Sequence, residues 1–104
     1  MKAEELKGHL DGLILAVLAA EPLHGYAVIE ALKQRTGGEL SLPEGTVYPA
    51  LHRLEADGLL KSEWSTGGGR RRRVYSLTKR GHGELGVRRE RWRLFANTIE
   101  AVLA

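Results

Sequence analysis

Cysteine is absent from this 104-residue chain, which excludes a disulfide framework and any zinc site built on thiolates. Histidine is sparse as well. His9, His24, His52 and His82 lie far apart, with no H-E-x-x-H spacing and no partnering acid at helical distance. No G-x-S-x-G or Walker motif occurs. An enzyme is not expected, and neither is a cofactor or a bound metal. Long apolar runs are also missing. Leu13–Ala20 spans eight residues, against about twenty for a membrane-crossing helix. The charged start from Met1 to Leu10 does not read as a signal peptide. A soluble, cytoplasmic protein is expected, with no internal repeat.

What is present points to a single small domain. A chain of 104 residues can build a core but buries only a modest share of its surface, so a second copy would help it. The net charge of +3 is unevenly spread: residues 1–52 hold four Lys/Arg against seven Asp/Glu, and residues 53–104 hold twelve against six. Such segregation suits a face that meets an anionic polymer better than a neutral enzyme surface.

The stretch from Ser41 to Trp64 organises the chain. Ser41 and Glu44 have capping-box spacing, Pro43 falls in the first turn, and Gly58 is the expected stop. On a helical wheel Val47, Ala50, Leu51 and Leu54 form the core face. The other side carries Gly45, Thr46, Pro49, His52 and Arg53, with Tyr48 on the flank. Gly45 and Pro49 cost about 1 and 3 kcal/mol against alanine inside a helix. Their i, i+4 spacing relieves the clash, because the ring of Pro49 faces a glycine. A helix of this kind fits a DNA major groove; taken alone, it equally fits a capped amphipathic helix with no partner.

Downstream, Leu60, Ser62 and Trp64 alternate with polar residues, and Thr66-Gly67-Gly68-Gly69 leads into Arg70, Arg71, Arg72 and Arg73 before Val74-Tyr75-Ser76-Leu77. This reads as a hairpin with an exposed tip, and four adjacent arginines call for an anion. Helix, basic hairpin, helix is the order of a winged helix-turn-helix, in which the hairpin touches DNA backbone beside the groove-bound helix.

Ahead of that stretch, the spacing predicts a helix from about Leu10 to Ala20, ended by Glu21-Pro22. A second is predicted from His24-Gly25 to Arg35, with Tyr26, Ile29 and Leu32 inward and Thr36-Gly37-Gly38 closing it. Met1–Gly8 is expected to add a short, loosely docked segment. After the hairpin, Thr78 is the expected cap of a last helix whose first turns Gly81, Gly83 and Gly86 weaken, leaving it robust from Val87. Leu85, Trp92 and Ile99 recur every seven residues, with Phe95 and Val102 at the offset position and Arg88 where that second series would begin. This second apolar stripe argues for pairing with another chain.

Taken together, G-T-V-Y-P-A-L-H-R-L-E-A-D-G-L-L and G-R-R-R-R-V-Y-S-L-T-K-R-G, preceded by L-D-G-L-I-L-A-V-L and P-L-H-G-Y, resemble the PadR family of bacterial transcriptional regulators over roughly residues 5–104. The resemblance implies a mainly α fold with a small β-hairpin: a winged helix-turn-helix over residues 1–77 and a C-terminal dimerisation helix over 78–104, forming one compact unit. It implies a repressor that binds a palindromic operator as a homodimer, with recognition helices about 34 Å apart. Thr46, Tyr48, Pro49, His52 and Arg53 become the candidates for base and phosphate contacts. Arg70–Arg73 become candidates for phosphate or minor-groove contacts. Lys33 and Arg35 come near phosphate by the same resemblance; plain solvated charges fit them as well. Leu85, Trp92, Phe95, Ile99 and Val102 become the dimer interface. Some short PadR-like regulators hold flat aromatic compounds between tryptophans at the dimer centre, which makes Trp92 and Phe95 a candidate ligand site; dimer-core aromatics without a ligand is the other reading. Two further functions stay open, a winged-helix adaptor for another protein and a non-specific DNA-binding protein. Salt dependence separates phosphate binding from an adaptor role.

Overall fold

The structure, a computed structural model, describes residues 3–6 and 8–104. Helix α1 (Ala3–Leu6) opens the chain and seats Leu6 at 7% exposure; the remainder of the expected N-terminal segment, Met1, Lys2 and Lys7, lies outside the described residues. Helices α2 (Leu10–Ala20), α3 (Gly25–Arg35) and α4 (Glu44–Ala56) follow, with strand β1 (Leu23–His24) between α2 and α3. Strands β2 (Leu60–Ser65) and β3 (Arg72–Leu77) form the hairpin, and α5 (Lys79–Leu103) closes the chain. The antiparallel sheet has the order β1-β3-β2, with Leu60 opposite Leu77 and Ser65 opposite Arg72. Among the described residues no helix is long and apolar enough to cross a membrane.

One core joins these parts. Ile14, Leu15, Val17 and Leu18 of α2 meet Val28, Ile29 and Leu32 of α3 and Val47, Ala50, Leu51 and Leu54 of α4. Leu60, Tyr75 and Leu77 cover this cluster from the sheet. The core face read for α4 is therefore the one that is buried. Its end follows the expected glycine stop: Gly58 has φ +78°, the Leu59 N–H donates to the Leu54 carbonyl and the Gly58 N–H to the Glu55 carbonyl. That bonding is the Schellman pattern, which needs a left-handed residue just past the helix.

The start of α4 differs from expectation. Pro43, not Ser41, holds the N-cap position, and no side chain caps the helix. Its carbonyl accepts the first bonds, from Thr46 and Val47. A cap at Ser41 would require helical geometry at Leu42, and Pro43 disfavours that in the residue before it.

Tyr26, expected inward, is 55% exposed. The buried stripe of α3 is Gly25, Val28, Ile29 and Leu32, and at about 100° per residue Tyr26 falls on its flank. Strand β1 was not expected at all; Leu23 pairs with Tyr75 and His24 with Val74.

The glycines of α5 do not delay the helix, which runs unbroken from Lys79. Gly81, Gly83 and Gly86 have the G-x-G-x-x-G spacing of a dinucleotide loop, but all three lie inside the helix and form no phosphate-cradling turn. Thr78 caps it, accepting from the Gly81 N–H at 3.0 Å and donating to the Gly58 carbonyl at 2.7 Å. Gly81 is buried against the Leu59 carbonyl, and a Cβ there would collide with that oxygen. The same glycine that lowers helix propensity lets α5 close onto the start of β2.

Candidate nucleic-acid interface

The exposed face of α4 carries Gly45, Thr46, Pro49, His52 and Arg53. Thr46, Pro49 and His52 make no side-chain hydrogen bond or ion pair among the described residues. Their i, i+3 spacing lines them along one helix edge, free for an external partner.

The other α4 candidates are engaged. Tyr48 is half-buried, and its ring lies over Gly25, where a Cβ would collide with it. This tyrosine therefore locks α4 to the start of α3. Arg53 turns back to α2, with Nη2 2.5 Å from Asp11 Oδ1. Asp11 is shared with α5: its other oxygen lies 3.9 Å from Arg88, whose Nε donates to Glu84 at 2.7 Å.

The four wing arginines have four different environments. Arg70 has no hydrogen bond or ion pair among the described residues. Arg71 lies over the Trp64 ring, 4.5 Å from its centroid. Arg72 reaches His24 Nε2 at 2.9 Å. Arg73 donates from Nε to Ser62 Oγ at 2.7 Å and lies 3.9 Å from Glu55. Ser62 in turn donates to Glu55 at 2.5 Å, which ties the wing to α4. Lys33 and Arg35 are exposed in the last turn of α3.

Two ionisable groups are shifted by this packing. Burial, then the charge of Arg72, holds His24 below its ordinary value of 6.5 and so neutral. A neutral imidazole has one acceptor nitrogen. The Ala27 N–H, 3.3 Å from Nδ1, and the Arg72 guanidinium compete for it. Burial, with a smaller push from Glu55, raises Tyr75 above its ordinary 10.0, against a lowering by Arg73. Its phenol stays protonated.

On α5 the expected dimer residues divide. Leu85 is 3% exposed and belongs to the chain's own core, so it is not free to meet a second chain. Trp92, Phe95, Ile99 and Val102 are exposed, joined by Leu94 and Leu103. Trp92 and Phe95 sit 5.9 Å apart, and the His9 ring meets Trp92 edge-on at 5.4 Å. Reading by residue type did not single out Trp64, His24 or Asp11. The strand alternation that grouped Trp64 with Leu60 was the one available signal for it.

A helix with an open edge, flanked by a basic hairpin on a shared core, defines a winged-helix DNA-binding protein. Residues 14–87 match the Transcriptional regulator PadR-like family, and the chain belongs to that family. It is thus a DNA-binding transcriptional regulator and not an enzyme. It is similar to the transcriptional regulator Rv3488 of Mycobacterium tuberculosis, at 47% identity over 72 residues, covering 69% of this chain and 64% of the relative. The transcriptional regulator YqjI of Escherichia coli is 30% identical over 94 residues, 90% of this chain but 44% of its own. Among solved structures, a transcriptional regulator from Clostridium thermocellum superposes with a TM-score of 0.89 at 26% identity, covering 98% of this chain and all of its own. A PadR family regulator from Clostridium difficile gives 0.81 at 33% identity, over 92% of this chain and 99% of its own.

Proposed function

We propose that this protein is a homodimeric repressor that binds a palindromic operator. The exposed α4 edge of Thr46, Pro49 and His52 meets base edges, Arg53 meets base or phosphate after leaving Asp11, and Arg70–Arg73 meet the flanking backbone. Tyr48 contributes from the rim of the same helix while holding α4 in place. Lys33 adds a phosphate contact from α3. The observation that carries this reading is the α4 edge without internal partners, beside a wing that gathers four arginines.

Residues 1–77 form the DNA-binding unit and 78–104 the dimerisation helix, joined as one body through Leu85. Pairing is supported by the surface area. The chain exposes 7069 Å², whereas a compact monomer of 11.5 kDa exposes about 5,800 Å². Trp92, Phe95, Ile99 and Val102 account for part of that excess and suit a two-fold seam. A flat aromatic ligand held at the dimer centre, against Trp92 and Phe95, releases the operator by changing the spacing of the two α4 helices. Bound to DNA, the protein resides in the cytoplasm and represses by covering the site that transcription needs.

Selection of genomic fragments by the purified protein tests this reading. The expected outcome is an enriched palindrome with half-sites about one helical turn apart. Fragments enriched without a common sequence would leave a non-specific DNA-binding protein, and no enrichment at all would leave an adaptor.

A further inference from the structure

The wing holds a large aromatic side chain that the core does not use. Trp64 is 54% exposed and stands opposite Arg73 in the β2–β3 ladder. Strand alternation puts Leu60, Ser62 and Trp64 on one face of β2, matched by Leu77, Tyr75 and Arg73 on β3. Along that face the pairing passes from the buried Leu60–Leu77 pair to the exposed Trp64–Arg73 pair. Arg71 continues the alternation into the loop. Both guanidinium groups lie over the indole, Arg71 at 4.5 Å from its centroid and Arg73 at 5.4 Å.

This cluster is anchored to α4. Glu55 accepts from Ser62 at 2.5 Å, and Ser62 accepts from Arg73 at 2.7 Å. Contacts thus run from α4 through Arg73 and the indole to Arg71. Among the described residues Arg71 makes no hydrogen bond or ion pair; the indole is its contact. Without it, an arginine beside three glycines, in a run of like charges, would sample many rotamers and lose that freedom on binding. The contact with the ring engages none of the Arg71 N–H groups in a hydrogen bond, which leaves them for a phosphate.

We infer that Trp64 is a positioning residue of the wing: Arg73, tied to Ser62 and Glu55, steadies the indole, and the indole holds Arg71 so that its unpaired N–H groups are presented to DNA phosphates. This rests on the reading that the wing meets the DNA backbone. Because Trp64 is exposed, its replacement leaves the core untouched and the thermal midpoint close to that of the parent protein.

The test measures affinity and its salt dependence on a short duplex of random sequence, for Trp64→Phe, Trp64→Leu, Arg71→Ala, the Arg71→Ala/Arg73→Ala pair, and that pair combined with Trp64→Leu. Trp64→Phe retains a weaker aromatic face and Trp64→Leu retains only apolar bulk. The expected order of affinity is parent, then Phe, then Leu. The Leu variant should lose roughly two- to fivefold, the equivalent of an exposed cation–π contact, with a shallower salt slope. In the double-arginine background, Trp64→Leu should have no further effect. An equal loss there would overturn the positioning role, because Trp64 would then act without the arginines. Parental binding by Trp64→Leu, alongside weakened binding by Arg71→Ala, would overturn this inference and leave the wing reading intact. Parental affinity and slope in the double-arginine variant would remove the wing reading, and the inference with it.

Discussion

At the scale of single residues, close approaches and shared partners matter more than residue type. Gly81 touches the Leu59 carbonyl where the helix meets the hairpin. A methyl group there must displace backbone, so Gly81→Ala should destabilise by roughly 1–3 kcal/mol in urea unfolding, as overpacked sites do, although alanine is the better helix former. Asp11 divides its two oxygens between Arg53 and Arg88. Exposed pairs contribute little to stability, about 0–1 kcal/mol, so Asp11→Asn should leave the melting temperature nearly unchanged. It frees Arg53 and removes a negative charge, so DNA affinity should rise several-fold in a titration at moderate salt. His24 supplies a pH dependence. Its folded value lies below 6.5, so the unfolded chain takes up the proton first, and the stability tied to neutral His24 is present above pH 6.5 and lost as pH falls through the folded value. Melting curves between neutral and mildly acidic pH should show this loss, and His24→Gln should flatten it.

At the scale of elements, the helix boundaries and core faces were readable because hydrophobic periodicity is a local signal. The bounds of α2 and the buried set of α4 follow it directly. Failures arose where a neighbour decided the outcome. Ser41 had the right spacing for a cap, but Pro43 constrains the residue between them. Tyr26 differs from Ile29 only by its angle to the α2 and α4 surfaces that bury the stripe. Strand β1 is two residues long, and only its pairing with β3 reveals it. In α4, Pro49 remains the costly residue, and its retention on the open edge fits shaping for a partner. Pro49→Ala should therefore raise stability by about 1–3 kcal/mol while changing operator affinity, read by paired melting and binding measurements.

At the scale of the whole molecule, a long helix projects from a small core, and the extents of 53 × 29 × 20 Å reflect it. The family resemblance and the charge segregation were legible in the sequence. The division of the α5 stripe was not, because a seven-residue repeat looks the same whether a leucine faces its own core or another chain. Leu85 faces its own core, whereas Trp92 and Ile99 remain exposed. Replacing Trp92 and Ile99 together by glutamate should give a folded monomer by mass measurement, with weaker operator binding.

On the proposed reading, the open edge of α4 specifies the sequence while the wing supplies affinity. The measurement that tests it most directly is the ratio of operator to random-duplex affinity for Thr46→Ala/His52→Ala and for Arg70→Ala/Arg72→Ala, across a range of salt. The α4 variant should lose most of the ratio with its random-duplex binding intact. The wing variant should weaken on both duplexes alike, with a shallower salt slope. A preserved ratio in the α4 variant, or a ratio lost through the wing alone, would contradict that reading.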